Sequence, residues 1–238
     1  RIIGNSRLRR LKIITKIKIG SNRNENIQKI INQKITKSLL RLNTKSIYGL
    51  MLHDTNDILG KNRDELLKCL KLLKRKKLIK KIGISIYSTN ELDKVWKFWR
   101  PDIVQLPFNL FDQRMLDSGW IDKLNKNKTK IFARSCFLQG LLIGDYNTLK
   151  IPKKIRRLLQ NFNDWCKEND ISRLKASLDF IRQFKKIDFA VIGFNNADQM
   201  REILNVLKKG ENKITKKFKS NNLKLIDPRK WSYRLKTL

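Results

Sequence analysis

The chain's only histidine, His53, stands near the end of a short apolar run, IYGLMLHD at residues 47–54. An imidazole in this place either lies exposed where a strand reaches the surface, or is delivered by that strand into a cleft where it acts in catalysis. Five more runs of the same kind end in residues that could also do chemistry. In chain order these residues are Lys16, Ser85, Gln105, Arg134 with Ser135, and Gly193 with Asn195.

Each of these residues alone has a simpler explanation. Lys16 is one of many lysines that could be solvated, and Gln105 could satisfy a neighbouring backbone group. Their shared placement at the ends of successive runs is what favours a site, because it would bring an amine, an imidazole, a hydroxyl, an amide and a guanidinium to one rim.

The elements that must position these residues alternate between strands and helices. Apolar, β-branched runs predict strands at 11–17, 47–54, 81–88, 102–109, 130–137 and 188–196. Helical spacing predicts helices at 26–42, 63–78 and 88–99, and near 153–168, 172–184 and 197–208. Strand then helix, repeated, implies parallel strands joined by crossover helices.

An α/β barrel and an open doubly wound sheet both satisfy this alternation. The sequence contains neither GxGxxG nor GxxxxGK[ST], the phosphate-binding signatures of open sheets, and this favours a TIM barrel. In such a barrel the chemistry lies at the carboxyl ends of the strands. We predict a barrel domain at 1–209, and at 210–238 a basic tail that packs on or near it, helical at 211–219 and then extended.

Composition limits the class of partner. The 238 residues carry 55 Lys and Arg against 21 Asp and Glu, a formal net charge of +34. This charge favours binding to polyanions, but an A+T-rich coding bias, which raises Lys, Asn and Ile together, explains it equally well. No apolar run approaches the roughly 20 residues that span a bilayer.

The cysteines argue against a metal site. Cys69, Cys136 and Cys166 are far apart and form no CxxC pair, and the single histidine makes a zinc site of the usual ligands unexpected. Reduced thiols indicate a cytoplasmic protein.

Six segments occur in the order and spacing seen in aldo-keto reductases: IITK, YGLMLHD, KKIGISIYS, DIVQLPFNLFD, ARSCFLQGLL and FAVIGFNNADQMREIL. The chain resembles this family over roughly residues 1–207. FNLFDQRMLDSG together with RSCFLQGLL looks most like a bacterial branch often linked to surface-sugar metabolism. The resemblance implies a (β/α)8 barrel that binds NADP or NAD without a Rossmann fold and reduces aldehydes and ketones by hydride transfer.

The resemblance also implies roles for two of the strand-end residues. In the family a Tyr is the general acid, its acidity tuned by a Lys and an Asp, and a His orients the carbonyl. Lys16 in ITK matches the lysine and His53 in MLHD matches the histidine. The physical chemistry agrees, since an ammonium favours a phenolate nearby and a neutral imidazole can donate a hydrogen bond to a developing alkoxide.

The remaining strand ends match the family's cofactor pocket. Ser85 and Gln105 match the groups that hold the nicotinamide carboxamide. Arg134 occupies the position of a stacking aromatic ring, which a planar guanidinium can replace. The other matched positions are Ser135 and Phe137 on the pyrophosphate loop, Gly193 at the last strand, and Asn195, Gln199 and Glu202 near the adenosine end. Gln199 replaces the arginine that commonly grips the 2′-phosphate, which leaves NADP and NAD both open.

The resemblance begins just after the family's catalytic Tyr, because RIIG at residues 1–4 matches the end of the following helix. We therefore expect the first two strands, the Asp and the Tyr to be absent, leaving six strands of eight. Tyr48 stands too early in its strand to substitute. We expect the intact protein to be a reductase, and these residues alone to be weakly active or inactive and prone to aggregate.

Two other function classes compete with a reductase. The first is a non-catalytic barrel that binds a nucleotide as a sensor or partner subunit. The second is a nucleic-acid-binding protein, for which LKRKKLIKK at 73–81 and KKGENKITKKFK at 208–219 could contact phosphates. Neither run is interleaved with aromatic residues, which makes nucleic acid the less favoured partner. For a reductase, the loops LLIGDYNTLKIP and IDPRKWSYRL suggest room for a polar, anionic or sugar-like carbonyl compound.

Overall fold

The computed structural model describes residues 11–20, 26–147 and 149–231, so that RIIG at residues 1–4 and the end of the tail lie outside it. Its strands run parallel in a six-stranded sheet whose order follows the sequence. They are β1 (Ile14–Ile17), β2 (Ile47–Leu52), β3 (Ile79–Ser85), β4 (Ile103–Pro107), β5 (Lys130–Arg134) and β6 (Phe189–Ala190). This arrangement, with helices between the strands, confirms the predicted α/β class with six strand–helix units.

The helices fall close to their predicted places. The long ones are α1 (Ile27–Leu42), α3 (Arg63–Arg75), α7 (Lys153–Glu168), α8 (Arg173–Arg182) and α9 (Ala197–Lys208). The short ones are α2 (Asn56–Leu59), α4 (Thr89–Trp96), α5 (Arg114–Asp117), α6 (Trp120–Lys126) and α10 (Leu223–Ile226), with a 3-10 turn at Pro228–Lys230. None of the helices described has the combination of length and apolar character that a membrane crossing requires.

Local sequence sets where the longer helices begin and end. The Asn26 side chain accepts a hydrogen bond from the Lys29 N–H at 3.0 Å and so caps α1, which ends where Asn43 adopts a left-handed conformation. Ser88 caps α4 in the same way, through the Glu91 N–H at 3.2 Å. Short polar side chains therefore satisfy N–H groups that a helix start leaves unpaired.

The chain divides into two compact units, Arg1–Gln105 with Lys128–Lys130, and Leu106–Asn127 with Ile131–Leu238. In the first unit Leu50, Met51 and Leu52 of β2 are completely buried. The run is apolar on both faces, as expected for a parallel strand covered on each side.

Aromatic rings fill the core of the second unit. Phe108 stacks on Phe180 with 5.5 Å between ring centroids, and Phe111 meets Phe162 edge-on at 6.1 Å. All four rings have no exposed surface. Such pairs stabilise a core beyond the area that they bury.

Residues 210–231 are attached to α8 through a buried carboxylate. Asp179 has no exposed surface and accepts hydrogen bonds from Lys175 Nζ at 2.5 Å, Arg182 Nη1 at 3.1 Å and the backbone N–H of Asn212 at 3.0 Å. One turn further on, the Gln183 side chain pairs with both backbone groups of Ile214. These contacts fix the start of the tail on the second unit.

Three sequence-based expectations about secondary structure are wrong in detail. The last predicted strand, 188–196, shortens to Phe189–Ala190. Residues 211–219 are not helical, and the N–H groups of Asn212 and Ile214 donate instead to the side chains of Asp179 and Gln183. The predicted extended piece contains α10, whose start is capped by Asn222.

Candidate active site

Lys16 and His53 lie on neighbouring strands of the first unit. Lys16 pairs with Met51 in the parallel register of β1 and β2, and the N–H of His53 continues this ladder by donating to the Ile17 carbonyl at 2.8 Å. Because side chains alternate along a strand, Lys16, Met51 and His53 lie on the same face of the sheet. Both Lys16 and His53 are exposed there.

Ser85 and Gln105 continue this row on the next two strands. Leu52 pairs with Ile84, which places Ser85 beside His53, and Ser85 in turn pairs with Gln105. The Ser85 hydroxyl donates to Gln105 Oε1 over a long 3.4 Å, and both side chains are buried. The structure thus aligns an imidazole, a hydroxyl and an amide on consecutive strands. Lys16 pairs with Met51, so its amine lies two residues closer to the strands' N-terminal ends.

Two glycines allow the layer beneath this row to pack. A Cβ atom on Gly83 would come within 2.9 Å of both Cβ and the carbonyl oxygen of Ile103, and within 3.0 Å of Met51 Cγ. A Cβ atom on Gly49 would meet side-chain atoms of Ile103 and Ile14, each at 3.2 Å. Glycine therefore lets the neighbouring apolar side chains close over the strands and form a floor for the polar row.

Acidic residues next to His53 shape the local electrostatics. Asp54 forms an ion pair with Lys18 at 3.2 Å. Burial raises the pKa of Asp54. Hydrogen bonds from the Asn56 N–H and from Lys18, together with the charges of Lys18 and His53, lower this pKa by more, so that it lies below its ordinary value. Asp54 is therefore ionised at neutral pH.

A second acid ties down the loop that follows Lys16. Asp57 accepts the backbone N–H groups of Ile19 at 2.8 Å and Gly20 at 3.0 Å. Sequence reasoning missed this role, although the HDTND stretch after β2 carried the signal.

The second unit contains the other predicted site residues. Arg134 ends β5, and its Nη1 donates to the Ser135 hydroxyl at 3.2 Å. Ser135 itself has φ of 57°, a left-handed conformation that costs an L-residue energy. Phe137 is buried.

The predicted adenosine-end residues surround the start of α9. The Asn195 N–H donates to Gln199 Oε1 at 2.8 Å, while the neighbouring Asn196 caps the helix through the Gln199 N–H at 2.9 Å. Gly193 and Glu202 are exposed on either side of this pair. The structure brings Asn195 and Gln199 together, and no contact of Gly193 or Glu202 with them is described.

Comparison with known proteins explains this arrangement. A model of the aldo/keto reductase family matches residues 2–219. The chain belongs to the aldo/keto reductase family. Membership makes this protein an oxidoreductase that acts on carbonyl compounds, and it confirms the resemblance found in the sequence.

Solved structures of aldo-keto reductases share the fold. The apo form of AKR11C1 from Bacillus halodurans is 18% identical with a TM-score of 0.71, and covers 89% of this chain and 72% of its own. Its holo form gives a TM-score of 0.69 at the same identity and coverage. The thermostable reductase Tm1743 is 19% identical with a TM-score of 0.62, covering 87% of this chain and 69% of its own. No curated protein matches the chain.

These neighbours confirm the aldo-keto reductase type of (β/α)8 barrel, of which six strands are described here. Within the described ranges there is no group of three or more His, Cys, Asp or Glu side chains that could hold a metal ion.

The family uses a nicotinamide cofactor, and the residues present fit one. A hydroxyl and an amide side by side, Ser85 and Gln105, can both hydrogen-bond a carboxamide. The loop that starts at Ser135 bends through left-handed residues, a backbone form that turns N–H groups toward an anion.

Proposed function

We propose that this protein reduces an aldehyde or ketone of polar, sugar-like character with NADPH or NADH. The observation that carries the proposal is the row of His53, Ser85 and Gln105 on consecutive strands, with Lys16 on the same face. When bound, the cofactor supplies the hydride that reduces the carbonyl carbon.

The protein's own residues would orient and polarise the reactants. The His53 imidazole would donate a hydrogen bond to the carbonyl oxygen and stabilise the charge that develops on it. The Lys16 ammonium would favour the anionic form of the phenol that gives up the proton. Ser85 and Gln105 would hold the nicotinamide amide, which fixes the face of the ring presented to the substrate.

Tyr48 does not serve as this phenol. It neighbours Gly49 in β2 and so points to the opposite face from Lys16 and His53, with Lys12 Nζ 5.6 Å from its ring centre. Whether turnover needs a phenol from outside residues 1–238 is tested by comparing the turnover of this chain with that of a version extended at its N-terminus. Equal turnover by both would show that it does not.

The test of the proposal separates binding from chemistry. NADPH and NADH are titrated by fluorescence, and cofactor oxidation is then followed with a panel of sugar-like aldehydes and ketones. In the most active version, His53→Ala should lower kcat by about 10²–10³-fold, as expected for a lost oxyanion donor, and leave the cofactor Kd unchanged. Lys16→Met should also lower kcat. Lys18→Met, two residues away and paired with Asp54 at 3.2 Å, is the matched control and should change little.

Three results would decide between the candidates. Binding of neither cofactor would overturn the proposal. Cofactor binding with no turnover in either the given or the extended chain would favour a nucleotide-binding protein without catalysis. Turnover that survives His53→Ala would remove His53 from the site.

The choice between NADP and NAD has its own test. Gln199 offers an amide where a cation would hold a 2′-phosphate, and it lies at the start of an exposed helix. Gln199→Arg should tighten NADPH binding and leave NADH binding unchanged, because only NADPH carries the extra phosphate.

A further inference from the structure

The loop after β5 has a backbone that its own sequence does not favour. Ser135, Leu138 and Gln139 are L-residues with φ of 57°, 49° and 55°, and Gly140 follows with φ of 87°. Left-handed conformations are unfavourable for L-residues and persist where surrounding structure holds them. Turn hydrogen bonds such as Leu142 N–H to the Phe137 carbonyl at 3.2 Å hold part of this backbone, and a contact from outside the loop adds to them at Ser135.

The end of this loop has two candidate donors for an anion. Among the hydrogen bonds described, the N–H groups of Gln139 and Gly140 find no acceptor within the residues that the structure covers, and Gln139 is exposed, whereas Cys136, Phe137 and Leu138 are buried. The Leu138 N–H instead closes the turn onto the Ser135 carbonyl at 2.8 Å. Successive unpaired N–H groups in a curved backbone form an anion-binding concavity.

Asn109 is the group that holds the loop from outside. It has no exposed surface, and its Nδ2 donates to the Ser135 carbonyl at 3.0 Å. Its Oδ1 accepts the N–H groups of Phe111 and Asp112, each at 2.9 Å. Because these two donors fix the oxygen end of the amide, the nitrogen end must face Ser135.

The segment that carries Asn109 is itself anchored. Asp112 has no exposed surface and forms a two-point ion pair with Arg114, at 2.8 and 2.7 Å. The Phe111 carbonyl accepts the Ser220 N–H at 2.9 Å. Next to Asn109, the Phe108 N–H donates to the Arg134 carbonyl at 3.1 Å. The position of Asn109 is therefore fixed, and its hydrogen bond holds the Ser135 carbonyl in place.

We infer that Asn109 is a positioning residue that holds Ser135 in its left-handed conformation and so sets the loop Ser135–Gly140 for the cofactor's phosphates. The inference rests on the proposed function for its ligand, but the hold on the loop stands on the hydrogen bonds alone. Only an amide satisfies the site, since it must accept two N–H groups and donate to one carbonyl.

The test removes the donor and keeps the acceptor. Asn109→Asp retains an oxygen for Phe111 and Asp112 but places a second oxygen against the Ser135 carbonyl. Amide hydrogen exchange at Leu138 and Leu142 should accelerate, and NADPH binding should weaken about tenfold, the effect of one lost buried hydrogen bond. Adding Ser135→Gly should recover most of the loss, because glycine adopts this backbone without the Cβ penalty.

A matched control separates positioning from general damage. Gln113 is also buried, and its amide donates to the Leu110 and Lys216 carbonyls, not to the loop. Gln113→Glu should lower stability yet leave both exchange at Leu138 and NADPH binding unchanged. Should Asn109→Asp fail to fold, the neutral Asn109→Ser is used instead, with the same exchange and binding measurements and the same added Ser135→Gly substitution.

Each outcome has a defined meaning. Unchanged exchange at Leu138 in a folded Asn109 variant overturns the inference, as does equal weakening by Gln113→Glu or no rescue by Ser135→Gly. If the wild-type protein binds neither NADPH nor NADH, the proposed function fails and the phosphate ligand with it. The exchange rates would then still show whether Asn109 holds the loop.

Discussion

The close approach of β3 and β4 makes Gly83→Ala a demanding test of how the site is built. The added Cβ would lie 2.9 Å from Cβ and the carbonyl oxygen of Ile103, and 3.0 Å from Met51 Cγ. Carbon atoms in contact normally lie about 3.5–4.0 Å apart, so a strand must move by roughly half an ångström or more. The carbonyl oxygen is backbone and cannot rotate away.

The expected loss follows from two opposing effects. Forcing an extra methyl group into a packed core costs about 1–3 kcal/mol. Replacing glycine also restricts the unfolded chain, and this effect alone stabilises the fold by about 0.4–1 kcal/mol. The net loss should be about 1–2 kcal/mol, which lowers the urea midpoint by roughly 0.5–1 M at a typical m value. Because Ser85 lies two residues further along β3, NADPH binding should weaken as well.

Two other glycines provide matched controls for Gly83→Ala. Gly49→Ala meets Cδ1 of Ile103 and Cγ1 of Ile14, each at 3.2 Å, and no backbone atom, so it should destabilise the fold less than Gly83→Ala. Gly193→Ala meets nothing within 4 Å and should leave the urea midpoint unchanged or slightly raised. A Gly83→Ala variant as stable as Gly49→Ala would refute the close packing of β3 against β4.

Three further predictions concern stability and thiol reactivity. Asp179→Ala leaves Lys175 and Arg182 without their buried partner and should cost about 3–5 kcal/mol in urea unfolding, whereas Asp198→Ala, an exposed ion-pair partner, should be near neutral. Burial raises the pKa of Asp227, but hydrogen bonds and charge from Arg229 lower it more, to below 3.8. Its ionised form thus stabilises the fold above the unfolded-state pKa near 3.8, and this contribution is lost as pH falls through the folded pKa. Asp227→Asn should lower the urea midpoint at pH 7, with a gap to wild type that narrows below about pH 3.8; a constant gap would contradict this. Burial raises the pKa of the Cys136 thiol to about 12, so a thiol reagent at pH 8 should label it only after unfolding.

Much of the fold was predictable because its signals are local. Apolar β-branched runs separated by helical spacing fix the order of strands and helices, and α7 and α9 begin and end where the spacing predicted. Helices that were missed are short: α2 and α5 have four residues each and α6 has seven, too few to show a clear helical period. The length of β6 was also predicted wrongly. An apolar run predicts a strand whether or not an adjacent strand pairs with all of its residues.

The site residues likewise divide into those that the sequence indicates and those that only the structure reveals. His53, Ser85 and Gln105 could be named from their positions at the ends of runs, since parallel strands bring their carboxyl ends to one edge. Asn109 is the last residue of the predicted run 102–109, but the sequence does not show which group it contacts. It follows β4 in an apolar stretch, and its importance appears only when Ser135, 26 residues later, places a carbonyl 3.0 Å from its amide.

The sequence by itself determined which residue types end each strand and, through the order of parallel strands, that an amine and an imidazole lie toward one edge of the sheet. The register of β1 and β2, which puts them on one face, was decided by the tertiary structure. The tertiary structure alone decided which backbone is held in an unfavourable conformation, and by what. Contacts such as Gly83 against Ile103, Asp179 with Asn212 and Asn109 with Ser135 join residues 20 to 33 positions apart. Such pairings depend on register and distance in space, which periodicity along a chain does not encode.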